Sequence, residues 1–222
     1  MNIWIVNPFD QLPNETDVPL RYWSLCKTFA TQGHDVVWWS SDYSHLTKTK
    51  REPCLDTDGF SIRLIETPPY KKNISFARLR NHKAFADGFY REAIKSMGDK
   101  ELEAPDRIVV SLPPLGVAEQ ACKIRDRIND SLLTASSGRC QVVGDIMDAW
   151  PETFYQVLPN YLRKHLGAVL FANMHRSARR AYQGADKITA VGQSYLDLAN
   201  SYVAGTHTPP MHLCYHGAEL SR

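Results

Sequence analysis

Three carboxylates, an indole and a proline fall within the eight residues Asp145-Ile146-Met147-Asp148-Ala149-Trp150-Pro151-Glu152. Carboxylates accept hydrogen bonds from sugar hydroxyls, and an indole offers a flat face on which a pyranose can stack. The same residues also suit a local role, with Asp145 capping a turn, Pro151 opening a helix and Glu152 favouring that helix's dipole. A second cluster is Asn7-Pro8-Phe9-Asp10-Gln11-Leu12-Pro13-Asn14-Glu15-Thr16-Asp17, followed by Arg21-Tyr22-Trp23. A helix starting there presents unpaired backbone N–H groups to an oxygen-rich ligand. The alternative is a polar loop with Asp17 near the cap position and Trp23 in the core.

Two segments carry positive charge without acid. Residues 70–83 hold Lys71, Lys72, Arg78, Arg80 and Lys83, while 159–184 hold Arg163, Lys164, Arg176, Arg179 and Arg180. Basic residues mixed with apolar ones can lie on an anionic membrane surface. They can equally form a solvated helix face with snorkelling stems.

The elements that must position these residues follow from hydrophobic periodicity. Ile3-Trp4-Ile5-Val6 reads as a strand, the apolar residues from Leu20 to Phe29 as a helix closed by Gly33, and Val36-Val37-Trp38-Trp39 as a second strand. That is a βαβ unit of a parallel sheet. The alternating run 60–65 predicts a strand toward one edge. Helices are expected over about 75–97, 115–128, 159–182 and 194–202, with strands at 107–110, 141–143, 187–191 and 211–215. A turn is expected at 136–138. The alternation defines a doubly wound, mostly parallel α/β sheet, in which ligands sit beyond the carboxyl ends of the strands.

Several chemistries lack their motifs. The first glycine of the chain is Gly33, so the first strand-to-helix turn holds neither a dinucleotide fingerprint nor a P-loop. No cysteines are closely paired, and His212 and His216 form the one close histidine pair, so no metal and no cofactor are implied. Gly192-Gln193-Ser194-Tyr195-Leu196 lacks the second glycine of a nucleophile elbow, leaving Ser194 as a helix cap. With 26 Lys+Arg against 24 Asp+Glu, the 222-residue chain does not hold nucleic acid by bulk charge. Five scattered cysteines suit a reducing cytoplasm, and no run nears the roughly 20 apolar residues of a membrane span. Residues 1–9 lack a basic leader, so export is not expected.

The motifs together resemble the amino-terminal domain of family 4 retaining glycosyltransferases, two-domain enzymes of the GT-B fold. Gly33-His34-Asp35-Val36 is similar to that family's G-H-x-V. Asp145 to Glu152 resembles the D-x-x-D-x-W-P-E of a bacterial polysaccharide and O-antigen branch. Ala185-Asp186-Lys187-Ile188-Thr189-Ala190-Val191, Ser111-Leu112-Pro113-Pro114 and Tyr215-His216-Gly217-Ala218-Glu219 fit further family segments. The resemblance spans nearly the whole chain and implies one Rossmann-like acceptor-side domain over residues 1–222. The partner domain that would bind the nucleotide-sugar donor, with its two glutamates eight positions apart, is absent from this sequence.

The resemblance implies transfer of a sugar to a saccharide or lipid-linked acceptor in polysaccharide synthesis, with little activity expected of this chain alone. Asp148, Trp150 and Glu152 would line the acceptor side, and Asp10, Asn14, Glu15 and Arg21 the opposite lip. Asp148 would position and stabilise charge, since such enzymes lean on the donor phosphate rather than a protein base. Lys71, Lys72, Arg78, Arg80 and Lys83 would face the inner membrane, giving a cytoplasmic, peripheral protein. The alternative is a non-catalytic acceptor- or membrane-binding subunit serving a separate catalytic partner.

Overall fold

The computed structural model describes residues 1–222 except 55, 56, 58, 132–137, 156–170, 206, 207 and 217–222. Seven strands form one parallel sheet: β1 (Asn2–Val6), β2 (Asp35–Ser41), β3 (Ser61–Ile65), β4 (Arg107–Leu112), β5 (Gln141–Ile146), β6 (Lys187–Ala190) and β7 (Met211–Leu213). Their order is β3-β2-β1-β4-β5-β6-β7, which places β3 at an edge as its alternation predicts. The direction of winding reverses between β1 and β4, where loops on opposite sides leave a crevice.

Period-two alternation sends residues of one strand to different cores. Ile3 and Ile5 pack with Val36, Trp38 and the α1 residues (α1, Arg21–Thr31) Tyr22, Trp23 and Cys26. Trp4 and Val6 join the larger core on the other face. That core takes in α2 (Phe76–Gly98), α3 (Leu115–Ser131), α5 (Ala172–Gly184) and α6 (Gln193–Val203), with a one-turn α4 (Glu152–Tyr155) after β5. Gly88 lets α2 approach the edge strand, because a Cβ there would lie 2.5 Å from Ile65 Cγ2.

The Gly33-His34 pair has a local explanation. Gly33, at φ +80°, donates its N–H to Ala30 O, and His34 donates to Phe29 O. This is a Schellman closure of α1, which needs a left-handed residue just past the helix.

Several boundaries differ from the sequence reading. β5 runs to Ile146, so Asp145 is a buried strand residue and caps no turn. The cap of α1 comes from neither Asp17 nor the N-cap residue Leu20; the Asp10 carboxylate accepts from the Tyr22 N–H at 3.0 Å. Ser194 lies in the first turn of α6, and Gly192 holds the cap position. Of the helix expected over 159–182, residues 159–170, including Arg163 and Lys164, lie outside the described residues. So do most of the 136–138 turn and Gly217, Ala218 and Glu219.

Candidate functional site

The loops leaving the carboxyl ends of β1, β2, β3 and β5 converge with the first turns of α2. Phe9 follows β1, His45 and Lys48 follow β2, Tyr70 follows β3 and Trp150 follows β5. The Arg78 guanidinium carbon lies 5.6 Å from the Phe9 ring centre and 5.2 Å from that of Trp150. His82 packs against both, at 5.3 Å from each ring. Clefts flank this wall: one of about 610 Å³ is lined by His82, Leu79, Trp150 and Met174, and one of about 490 Å³ by Tyr43, Lys48 and Tyr70.

Asp148 sits at the rim, half-buried, and its carboxylate accepts from three neighbours. Oδ1 takes the Ala149 N–H at 2.8 Å and the Thr153 hydroxyl at 3.0 Å, while Oδ2 takes the Trp150 indole N–H at 3.0 Å. The aspartate therefore fixes the plane of the indole that walls the cleft. Glu152 points the other way, toward α5 and α6. It accepts from the Tyr202 hydroxyl at 2.7 Å, and Tyr202 in turn meets His175 Nδ1, whose Nε2 faces Tyr155 at 2.8 Å. Glu152 Oε2 is buried without a hydrogen-bond partner among the described residues.

On the opposite lip, Arg21 is engaged by protein. Its Nε and one terminal nitrogen donate to Asp145 at 2.8 and 2.9 Å, and the other terminal nitrogen reaches Tyr215 O. Asp145 also accepts from the Tyr22 and Thr189 hydroxyls at 2.8 and 2.7 Å, so this carboxylate links α1, β5 and β6. Burial works against the Arg21 charge, and Asp145 more than reverses that, leaving its pKa above the ordinary arginine value. Burial holds the Asp10 carboxyl above the usual range despite its bond from Tyr22. Glu15 is tied to Arg51 at 3.1 Å, whose guanidinium also donates to Ser40 Oγ and Asp10 O. Asn14 Nδ2 reaches Glu52 O at 3.4 Å.

The basic segment divides. Lys71, Lys72, Arg80 and Lys83 are exposed, beside Ile74 and Phe76, which are 54% and 91% exposed. Arg78 turns inward between two rings, away from the face where the sequence reading placed it. On α5, Arg180 pairs with Glu119 and Arg176 donates to Asn173.

Electrostatics mark the Arg78 neighbourhood. Burial, helped by Arg78, Lys48 and Arg51, lowers the His45 pKa to about 4. Burial with Arg78 and His45 lowers His82 to about 3. Both imidazoles are neutral at pH 7. His82 Nε2 accepts from Arg78 Nε at 3.2 Å, which requires the tautomer protonated at Nδ1. Sequence reasoning missed His45, His82 and Tyr70 as partners; the clue available was that Phe9, Tyr70 and Trp150 all lie just past strand ends. Among the described residues no group of three or more His, Cys, Asp or Glu could hold a metal ion, and no helix is long and apolar enough to cross a membrane.

No protein-family model matches the chain, and no curated protein matches it in sequence. Its fold is similar to solved glycosyl-transfer proteins. Sucrose-phosphate synthase from Thermosynechococcus elongatus superposes with a TM-score of 0.57 at 10% identity, over 99% of this chain and 91% of that one. UGT2 of Phytolacca americana, complexed with UDP-2fluoro-glucose and pterostilbene, superposes at 0.55 and 8% identity, over 96% of this chain and 54% of that one. The chain therefore has the Rossmann-like sheet and flanking helices of one half of a GT-B glycosyltransferase fold.

Proposed function

We propose that this chain is the acceptor-binding half of a retaining glycosyltransferase of the family 4 type. In that reading a nucleotide-sugar is held by a second domain outside residues 1–222, and the sugar passes to a saccharide or lipid-linked acceptor in cell-surface polysaccharide synthesis. The observation that carries the reading is Trp150. Its ring, 4% exposed, closes one end of the 610 Å³ cleft between α2, α3 and α5, and the Asp148 carboxylate holds its indole N–H at 3.0 Å. With His82 and Arg78 packed against the ring, it serves as a fixed apolar wall beside polar groups, against which the apolar side of a sugar can pack.

Asp148 then acts by holding Trp150 and the acceptor in register and by placing negative charge near the reacting sugar. Asp10, Asn14 and Glu15 shape the opposite lip, and Arg21 positions that lip through Asp145. Glu152 anchors the short helix behind Trp150. Lys71, Lys72, Arg80 and Lys83, with Ile74, Phe76 and Leu79 between them, form a basic and apolar surface suited to the inner membrane face. In this reading residues 1–222 alone turn over little or no substrate, because the donor is held by the second domain.

A second reading is a non-catalytic acceptor-binding subunit. It is favoured by one observation: all three donors to Asp148 are local, which suits a structural clamp. Asp148→Asn in the complete enzyme separates the two. About a 10²-fold loss of turnover with unchanged thermal stability supports the transferase reading; near-normal turnover removes Asp148 from the chemistry.

A further inference from the structure

The charge around Arg78 is not balanced in the way this protein balances its other interior arginines. Arg21, Arg51 and Arg125 have side chains 7%, 0% and 15% exposed, and each meets a carboxylate, on Asp145, Glu15 and Asp186 respectively. Among the described residues Arg78 donates only to neutral acceptors, the Asn73 carbonyl at 2.8 Å and His82 Nε2 at 3.2 Å. Lys48 behaves alike: its Nζ contacts Asn73 Oδ1 at 2.7 Å and lies 4.5 Å over the Tyr70 ring. It also faces His45 Nδ1 at 3.4 Å, on the nitrogen that Tyr70 approaches with its hydroxyl. Both cations thus meet at Asn73, with two imidazoles beside them and no ion pair among the described residues. Asp148 is close enough to favour the Arg78 charge, but its oxygens already accept three local bonds.

Uncompensated cations repel one another and resist burial, so holding them together costs stability unless a further group repays it. Aromatic faces steady such charges without neutralising them. The 490 Å³ cleft next to Lys48 and Tyr70 also receives Lys71 and Lys72, and no acidic residue among those described lines it. Lys48 lines this cleft and His82 lines the 610 Å³ cleft where the acceptor is placed above, with Arg78, bonded to His82 and sharing Asn73 with Lys48, linking the two.

We propose that Lys48 and Arg78, with His45 and His82, form an oxyanion subsite, so that the acceptor carries a phosphate or carboxylate beside the sugar. This rests on the acceptor reading of the cleft for its biological meaning. An anion there favours the protonated imidazoles, so occupancy raises the pKa of both His45 and His82 from their depressed values. Lys48 and Arg78 supply charge-assisted hydrogen bonds. A neutral saccharide would leave the four groups as they are.

The test is a pH titration of the two imidazole Cε1–H resonances in the 222-residue chain by NMR, with inorganic phosphate and separately with acetate. The expected result is an upward shift of both pKa values by about one unit or more. Saturation by the anion should weaken about 10-fold in Lys48→Gln, a partly exposed position, and further in Arg78→Gln. A response to phosphate alone assigns a phosphate-bearing acceptor, and a response to acetate alone a carboxylate-bearing one; either supports the subsite. If neither anion moves either imidazole, or if Lys48→Gln responds like the parent, the subsite does not exist. Sugar transfer is scored by a separate assay, so loss of transfer with intact anion binding would refute the acceptor reading and leave the subsite standing.

Discussion

Replacing Arg21 by methionine isolates the contribution of the Arg21–Asp145 pair. Asp145 is 1% exposed and accepts four hydrogen bonds, two from Arg21 and one each from Tyr22 and Thr189. Arg21→Met removes its ion-pair partner among the described residues and two of the four donors, leaving a buried carboxylate held by two hydroxyls. Breaking such a pair from one side costs about 3–5 kcal/mol, a fifth or more of a typical domain's stability of about 5–15 kcal/mol. Arg21→Met/Asp145→Leu removes the stranded charge and should recover part of the loss. It strands the buried Tyr22 hydroxyl in turn, at about 1–3 kcal/mol, so the double variant should lie between the single variant and the parent. Urea unfolding followed by the fluorescence of the buried Trp4, Trp38 and Trp39 reads all three proteins. A loss below about 1 kcal/mol in Arg21→Met, or a double variant no better than the single, would refute this reading of Arg21 as a structural positioner.

Three further outcomes follow from the same geometry. His82 is neutral in the fold until about pH 3 but takes a proton near pH 6.5 when unfolded. Stability therefore falls as pH drops below 6.5, approaching ~1.4 kcal/mol per pH unit from this group, and His82→Gln should flatten the loss of Tm between pH 6.5 and 4. Gly88→Ala improves helix propensity yet should destabilise by about 1–3 kcal/mol, because the new methyl meets the buried Ile65; a gain in Tm would contradict the close approach of α2 to β3. Phe76→Ser/Lys72→Gln should lower sedimentation with anionic phosphatidylglycerol vesicles and leave binding to neutral phosphatidylcholine vesicles unchanged, and equal binding of parent and variant would remove the membrane face.

Much of the fold was legible because it is written in local periodicity. The β1-α1-β2 unit follows from Ile3 to Val6, a helical stretch, a glycine stop and an aromatic strand, and the half-exposed run at Ser61–Ile65 does form the edge strand. What escaped depends on partners distant in sequence. Asp145 looked like part of a loop motif, but its ligands are 44 to 124 positions away and draw it into the strand. Arg78 looked like one basic residue among five, yet Phe9 and Trp150, far from it along the chain, turn it inward. Asp10 caps a helix twelve residues later, which no cap motif encodes. The DxxDxWPE-like stretch was recognised as a unit, but its carboxylates do separate work. One holds Arg21, one holds Trp150, and one holds Tyr202.

The most direct measurement of the central claim uses the complete product of the gene that encodes this chain. Radiolabelled UDP-, GDP-, CDP- and dTDP-sugars would be offered with the saccharide and lipid-linked fraction of its own cells. The account predicts time-dependent transfer of label from one donor class to that fraction, falling about 10²-fold in Asp148→Asn. Absence of transfer from every donor, with the protein folded and the fraction competent for another glycosyltransferase, would contradict it.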